Sequence, residues 1–266
     1  MQLIDIGANL THDSFDDDRR DVIEAASAAG VSPIILTGST AQGSLDALQL
    51  ANAWPGKMYA TAGVHPHHAT EYDDVVHQQL LTLLEDPAVV AVGECGLDYF
   101  RNFSPPDAQQ TAFARQLELA IETGLPLFLH QRDAFDDFVA LIKPRRAQLG
   151  RAVAHCFTGN EAELDAFIEM DLYIGITGWI CDERRGQHLQ EIVSRIPANR
   201  IMIETDAPYL LPRTLRPKPK SRRNVPGHLP EVLRVLAECM GYETAELAAL
   251  TTANAMRFFE LTEVQQ

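Results

Sequence analysis

Five residues able to hold a metal or move a proton stand just after short apolar runs in this 266-residue chain. His65 follows MYATAGV, Glu94 follows AVVAVG, His130 closes PLFL, His155 closes AVA and Asp206 follows RIMIET. Four of them, Glu94, His130, His155 and Asp206, offer two imidazoles and two carboxylates, a donor set suited to a divalent cation. Imidazoles suit Zn²⁺, Mn²⁺ or Fe²⁺, whereas Mg²⁺ prefers oxygen, so the two histidines lean away from Mg²⁺. His65 lies in the motif GVHPH at 63–67 and should reach the same place, although a loop hydrogen bond is its plainer role. His67 and His68 are expected to face solvent.

Such residues can meet only if the runs before them are strands that end on one rim. The pattern predicts strands at 2–6, 33–37, 58–63, 88–93, 126–130, 152–155, 172–176 and 200–204. Several are continuously apolar, as strands buried on both faces tend to be. Amphipathic segments alternate with them at 16–29, 41–53, 73–84, 106–123, 133–147, 161–169, 186–194, 229–240 and 244–258. In the segment 106–123, Ser104 is the expected cap and Pro105 and Pro106 fit the first turn. Phe113, Leu117, Ala120 and Ile121 recur at helical spacing, and Gly124 supplies the stop. Eight such units make an α/β chain of the (β/α)8 TIM-barrel class, with a doubly wound open sheet as the alternative. Barrels carry catalytic groups on the C-terminal ends of several strands, and here at least four strand ends are decorated, which favours the barrel.

No linker or shift in composition divides the chain, so residues 1–266 are read as one barrel domain. The N-terminus MQLIDIGANL lacks a signal peptide's basic flank, and no apolar run is long enough to span a bilayer, so a cytoplasmic location is expected. No apolar segment is left over for a partner, which favours a monomer. Cys95, Cys156, Cys181 and Cys239 form no C-x-x-C pair and read as reduced thiols, and the sequon at Asn102 carries no meaning in that compartment. Asp16, Asp17 and Asp18 should stabilise the first helix through its dipole.

The formal charge of −15 argues against broad binding to nucleic acid. One window differs: between Asp206 and Glu231 there is no acid, but Arg213, Arg216, Lys218, Lys220, Arg222 and Arg223 lie among prolines. Arg213, Lys218, Arg222 and Arg223 are the candidates for phosphate contact. Tyr99, Phe100, Phe157 and Trp179 are either base-stacking or core aromatics.

Several long strings resemble the TatD family of metal-dependent nucleases over essentially the whole chain. They are GVHPH at 63–67, VGECGLDY at 92–99, PLFLHQRDAFD at 126–136, AHCFTG at 154–159, YIGITGWICDERRG at 173–186 and IETDAPYLLP at 203–212. The resemblance implies a barrel of the amidohydrolase-like type that hydrolyses phosphodiester bonds in DNA with Mg²⁺. In the branch it most resembles, it implies trimming of single-stranded DNA or RNA from the 3′ end. It also implies metal contacts by Glu94, His130 and His155, with Asp206 beside the metal and its water. Mg²⁺ is therefore the expected cofactor, with Mn²⁺ able to substitute. Many relatives carry an H-x-H pair after the first strand, where this chain has Gly7 and Asn9, so one ion is expected rather than two. Val225 also stands where N-E-P is common.

The expected mechanism is metal-assisted hydrolysis in which Asp206 takes or orients a proton and Glu94 is indispensable. His65 touches the scissile phosphate or protonates the leaving oxygen. The competing classes are a metal-dependent amide or ester hydrolase, such as an aminoacyl-tRNA deacylase, and a binding protein that has lost the chemistry.

Overall fold

Eight parallel strands form one sheet in the order of the sequence, in a computed structural model that describes residues 1–261. Residues 262–266, which the single-domain reading includes, lie outside the described part. The strands are β1 (Leu3–Ala8), β2 (Val31–Leu36), β3 (Met58–Ala62), β4 (Val89–Asp98), β5 (Leu127–Arg132), β6 (Ala152–Ala154), β7 (Tyr173–Ile176) and β8 (Ile201–Ile203). The sheet closes just past β8: Asp206 N donates to Gly7 O at 2.8 Å, and Ala8 and Ala207 form a parallel bridge. This is the (β/α)8 barrel expected from the alternation, and the open sheet is excluded.

The intervening helices are α1 (Arg19–Ala28), α2 (Ala41–Ala53), α3 (Asp74–Leu83), α4 (Pro106–Thr123), α5 (Phe135–Ile142), α6 (Glu161–Glu169), α7 (Gln187–Ile192), α8 (Leu229–Met240) and α9 (Thr244–Phe259). Their apolar stripes pack on the outside of the barrel: in α4, Phe113, Leu117 and Ala120 are buried, and in α8, Leu229, Val232, Leu233 and Leu236. A smaller apolar cluster, with Ile4, Ile6, Ile35, Phe128, Val153, Tyr173 and Met202, fills the interior and joins Phe258 and Phe259 of α9. The barrel is thus a packed core at one end and leaves room for polar side chains only at the other. Among the described residues no helix is long and apolar enough to cross a membrane.

Three local expectations are corrected. β4 runs on to Asp98 rather than ending at 93, because Glu94–Asp98 keeps pairing with β5 as far as Asp98↔Arg132. Gly96 makes this possible: its φ is 144°, and a Cβ there would strike the His130 carbonyl oxygen. Ser104 does not cap α4; its hydroxyl donates to His67 O at 2.9 Å, and the N-cap is Pro105. Asp18 is the N-cap of α1 and Asp16 and Asp17 lie just before it, so the acids stand at the helix N-terminus as expected, although Asp18 makes no capping bond and its carboxylate takes Arg223. His67 does not simply face solvent, since its Nε2 lies 3.0 Å from Asp98 Oδ2.

Candidate metal centre and active site

The C-terminal ends of the strands surround a cavity of about 490 Å³ whose lining includes His65, Glu94, His130, His155 and Asp206. The five residues proposed from sequence are therefore gathered in one place. On β4, Glu94 is the hub. Its Oε1 lies 2.7 Å from His155 Nε2, 3.0 Å from His130 Nδ1 and 3.3 Å from His65 Nε2.

The second ring nitrogen of each histidine tells them apart. His155 Nδ1 faces Glu204 Oε2 at 3.2 Å, and His130 Nε2 faces Asp98 Oδ2 at 3.2 Å. Carboxylates only accept, so without a cation both nitrogens of these two rings donate; with a cation bound each would keep its N–H on the outer carboxylate and free the nitrogen that faces Glu94. His65 is held the other way: its Nδ1 accepts from the His67 backbone N–H at 3.1 Å. The proton of a neutral His65 then sits on Nε2, which makes that atom a donor. The donor atoms of His65, Glu94 and His130 all lie within 4.8 Å of one another. On tautomer grounds, however, His155 fits a cation better than His65 does.

The charges follow the geometry. Burial would raise the Glu94 carboxyl, but the surrounding imidazoles hold it well below the usual carboxylate range. Burial works against the charged forms of His155 and His130 as well. Glu94 and Glu204 nevertheless raise His155 well above its ordinary value, and Asp98 and Glu94 raise His130. Burial dominates at His65 and pushes it down to about 4, so it is neutral near pH 7. Burial also pushes Asp206 up to about 7, helped by the charges of Glu94 and Glu204. Three imidazoles converging on one carboxylate oxygen, two of them pinned from behind by further carboxylates, suit a divalent cation.

Asp206 lies across the cavity, its Oδ1 accepting from Asn9 Nδ2 at 3.1 Å. Its φ of 53° is left-handed, as is that of Cys156 at 45°, a conformation that costs a side-chain-bearing residue and that concentrates at functional sites. Sequence reasoning missed Asp98, Glu204 and the pinning role of His67. The signal was present, since Asp98 and Glu204 lie in the strings VGECGLDY and IETDAPYLLP that already drew attention to Glu94 and Asp206.

The structure does not bring the basic window into the cavity. Arg213 pairs with Glu183 at 2.7 Å, and Arg223 pairs with Asp18 and packs over the Phe15 ring. Lys218 and Arg222 are exposed. The cations that do line the cavity are Arg101, Arg132 and Arg185. Among the four aromatics, Phe157 is core, Tyr99 donates to Asp137 at 2.8 Å, Trp179 lines the cavity and Phe100 is exposed. All four cysteines are free thiols, and burial raises Cys95 and Cys156 far above the ordinary thiol value.

Residues 4–260 match the family described as TatD related DNase. A protein of Pectobacterium parmentieri (strain WPP163) named 3'-5' ssDNA/RNA exonuclease TatD is 51% identical over 259 residues, covering 97% of this chain and all of its own length. The crystal structure of the TatD homologue YJJV from Escherichia coli K12 superposes with a TM-score of 0.89 at 28% identity, over 98% of both chains. A hydrolase of the TatD family from Entamoeba histolytica gives 0.88 at 27% identity, covering 98% of this chain and 99% of its own.

Proposed function

This chain belongs to the TatD related DNase family, and on that premise we propose that it is a metal-dependent 3′–5′ exonuclease hydrolysing phosphodiester bonds of single-stranded DNA and RNA. It would serve in DNA repair or nucleic-acid turnover. The observation that carries the reading is Glu94 Oε1, on which three imidazoles converge in the cavity at the strand ends. The cation would be held by Glu94, by His130 through Nδ1 and by His155 through Nε2, with Asp206 facing it. We take Mg²⁺ as the working ion and Mn²⁺ as its substitute. When bound, such an ion supplies charge neutralisation at phosphoryl oxygens and a lower pKa for water.

The protein's own groups divide the remaining work. Asp206, on the cavity lining and facing the cation's place, accepts a proton from the attacking water and orients that water. His65, neutral and with its proton on Nε2, donates a hydrogen bond to a phosphoryl oxygen. Protonation of the leaving oxygen by His65 is disfavoured, since a group pushed down to about 4 holds almost no extra proton at pH 7. Asp98 and Glu204 fix the ring orientations of His130 and His155. We keep the reading of a monomeric, cytoplasmic, single-domain enzyme. Lys218 and Arg222 remain candidates for distant contact with the strand.

The test is digestion of 3′- and 5′-labelled single- and double-stranded DNA and RNA with Mg²⁺, with Mn²⁺ and with chelator. Shortening of single strands from the 3′ end, dependent on metal, is expected. Release of an aminoacyl ester without any loss of nucleotides would replace this reading with that of a deacylase.

A further inference from the structure

β5 places Arg132 two residues after His130, so both side chains leave the strand on the same face. The Arg132 guanidinium lies over the Phe100 ring at 3.9 Å and near the Trp179 ring at 5.8 Å. It lines the cavity, and among the described residues it makes no ion pair and no side-chain hydrogen bond. Its neighbour Arg185 is different, being tied to Asp182 at 2.9 Å as well as packed over Trp179 at 4.3 Å. Arg101, the third cation of the lining, likewise makes no ion pair among the described residues, but it lies near one ring only, Phe100 at 5.7 Å, whereas Arg132 is set against two. Its plane is held by aromatic packing while its N–H edge stays open, the arrangement that binds a phosphate through two parallel hydrogen bonds at low entropic cost.

Phe100 extends the same feature outward. Its side chain is 54% exposed, and Phe103 (69%) and Tyr209 (52%) are the other exposed aromatics among the described residues. Phe103 packs on the His67 ring at 4.7 Å, and Tyr209 lines the cavity. Exposed aromatic rings are therefore concentrated at the mouth of this one cavity. An aromatic face beside a phosphate-binding cation suits an unpaired strand, because a base inside a duplex already has neighbours on both faces.

We propose that Arg132 seats the backbone phosphate adjoining the scissile one, and that Phe100 beside it receives a base of an unpaired strand. The inference rests on the nuclease reading and adds a specificity subsite to it. It moves the strand's principal contact from the 213–223 window to the loop after β4 and the end of β5.

Binding of a fluorescent single-stranded oligonucleotide in chelator, measured over a salt series, tests it without turnover. Steady-state digestion of single and double strands runs in parallel on wild type, Arg132→Ala, Arg132→Lys and Phe100→Ala. Arg132→Ala should weaken binding and raise KM roughly tenfold, and should flatten the salt slope by about 0.7. Arg132→Lys should restore the slope but not the affinity, since a point charge lacks the fork. Phe100→Ala should weaken single-strand binding with the slope unchanged. Wild-type affinity and slope in Arg132→Ala, with the fold checked by circular dichroism, would overturn the proposal. Failure of the wild-type enzyme to digest any strand would instead count against the nuclease reading, while the binding series still decides the role of Arg132.

Discussion

Glu204 fills the space that a side chain at position 7 would need. A Cβ on Gly7 would lie 2.5 Å from Glu204 Oε2, the same oxygen that faces His155 Nδ1 at 3.2 Å. The absence of a histidine at position 7 is therefore matched by a buried carboxylate that orients one proposed ligand. A second ion held from the first strand has neither a side chain nor a vacant volume there, which is a structural argument for one cation.

Gly7→Ala should push Glu204 away from His155 and weaken cation binding roughly 10- to 100-fold, the usual cost of losing a partner behind a ligating histidine. Calorimetric titration with Mn²⁺ measures this. Wild-type affinity in Gly7→Ala would show that Glu204 does not position His155. Gly7→His should lose affinity as well rather than gain a second site.

Glu94→Ala should bring metal-dependent digestion to background while the circular dichroism spectrum is retained. The substitution removes the one oxygen shared by three imidazoles and touches no part of the apolar interior. Elemental analysis should show metal content falling with activity. Near wild-type turnover in this variant would remove the centre from the mechanism.

Metal uptake should release protons and tighten as pH rises. His155 and His130 are raised above the ordinary imidazole value by the carboxylates around them, so without metal they keep their protons to higher pH than a free imidazole does. The sign for stability is opposite. Their contribution to the metal-free fold is fully present below the unfolded imidazole pKa of about 6.5, and is lost as pH rises through their raised values. Titration with Mn²⁺ in buffers of different ionisation heat reads the proton count. An uptake independent of buffer from pH 6 to pH 8 would contradict the raised His155 and His130.

Arg223 and Arg222 should behave differently despite being neighbours. Arg223 reaches Asp18 and the Ser14 carbonyl, so Arg223→Glu should lower thermal stability, by an amount near the upper end of the roughly 0.2–1 kcal/mol typical of partly exposed pairs. Arg222 is exposed, and Arg222→Glu should leave the melting temperature unchanged. If Arg222 contacts the strand at a distance, its reversal flattens the salt dependence of oligonucleotide binding. An unchanged slope would return Arg222 to the solvated surface.

Much of the site was legible because a barrel repeats its geometry. Each strand ends on the same rim, so a polar residue after an apolar run has a foreseeable place, and His65, Glu94, His130, His155 and Asp206 all reach one cavity. The end of β4 was not legible, because the apolar run stops at Gly93, with Glu94 next and a second glycine, Gly96, beyond. The conformations of the two glycines in fact let the strand stay close to β5. The basic window misled for a related reason: composition counts charges, and partners consume them. Arg223 meets Asp18 from 205 positions away, and Arg213 meets Glu183.

By itself the sequence determined the barrel, its strand-end donors and the family, because apolar periodicity and long strings are local properties of the chain. Only the tertiary structure decided which nitrogen of each histidine faces the centre, that Glu204 stands where residue 7 has no side chain, and which arginines are left unpaired beside the centre. Hydrogen-bond partners and desolvation depend on side chains brought together from different strands, and no local pattern in the sequence encodes that assembly.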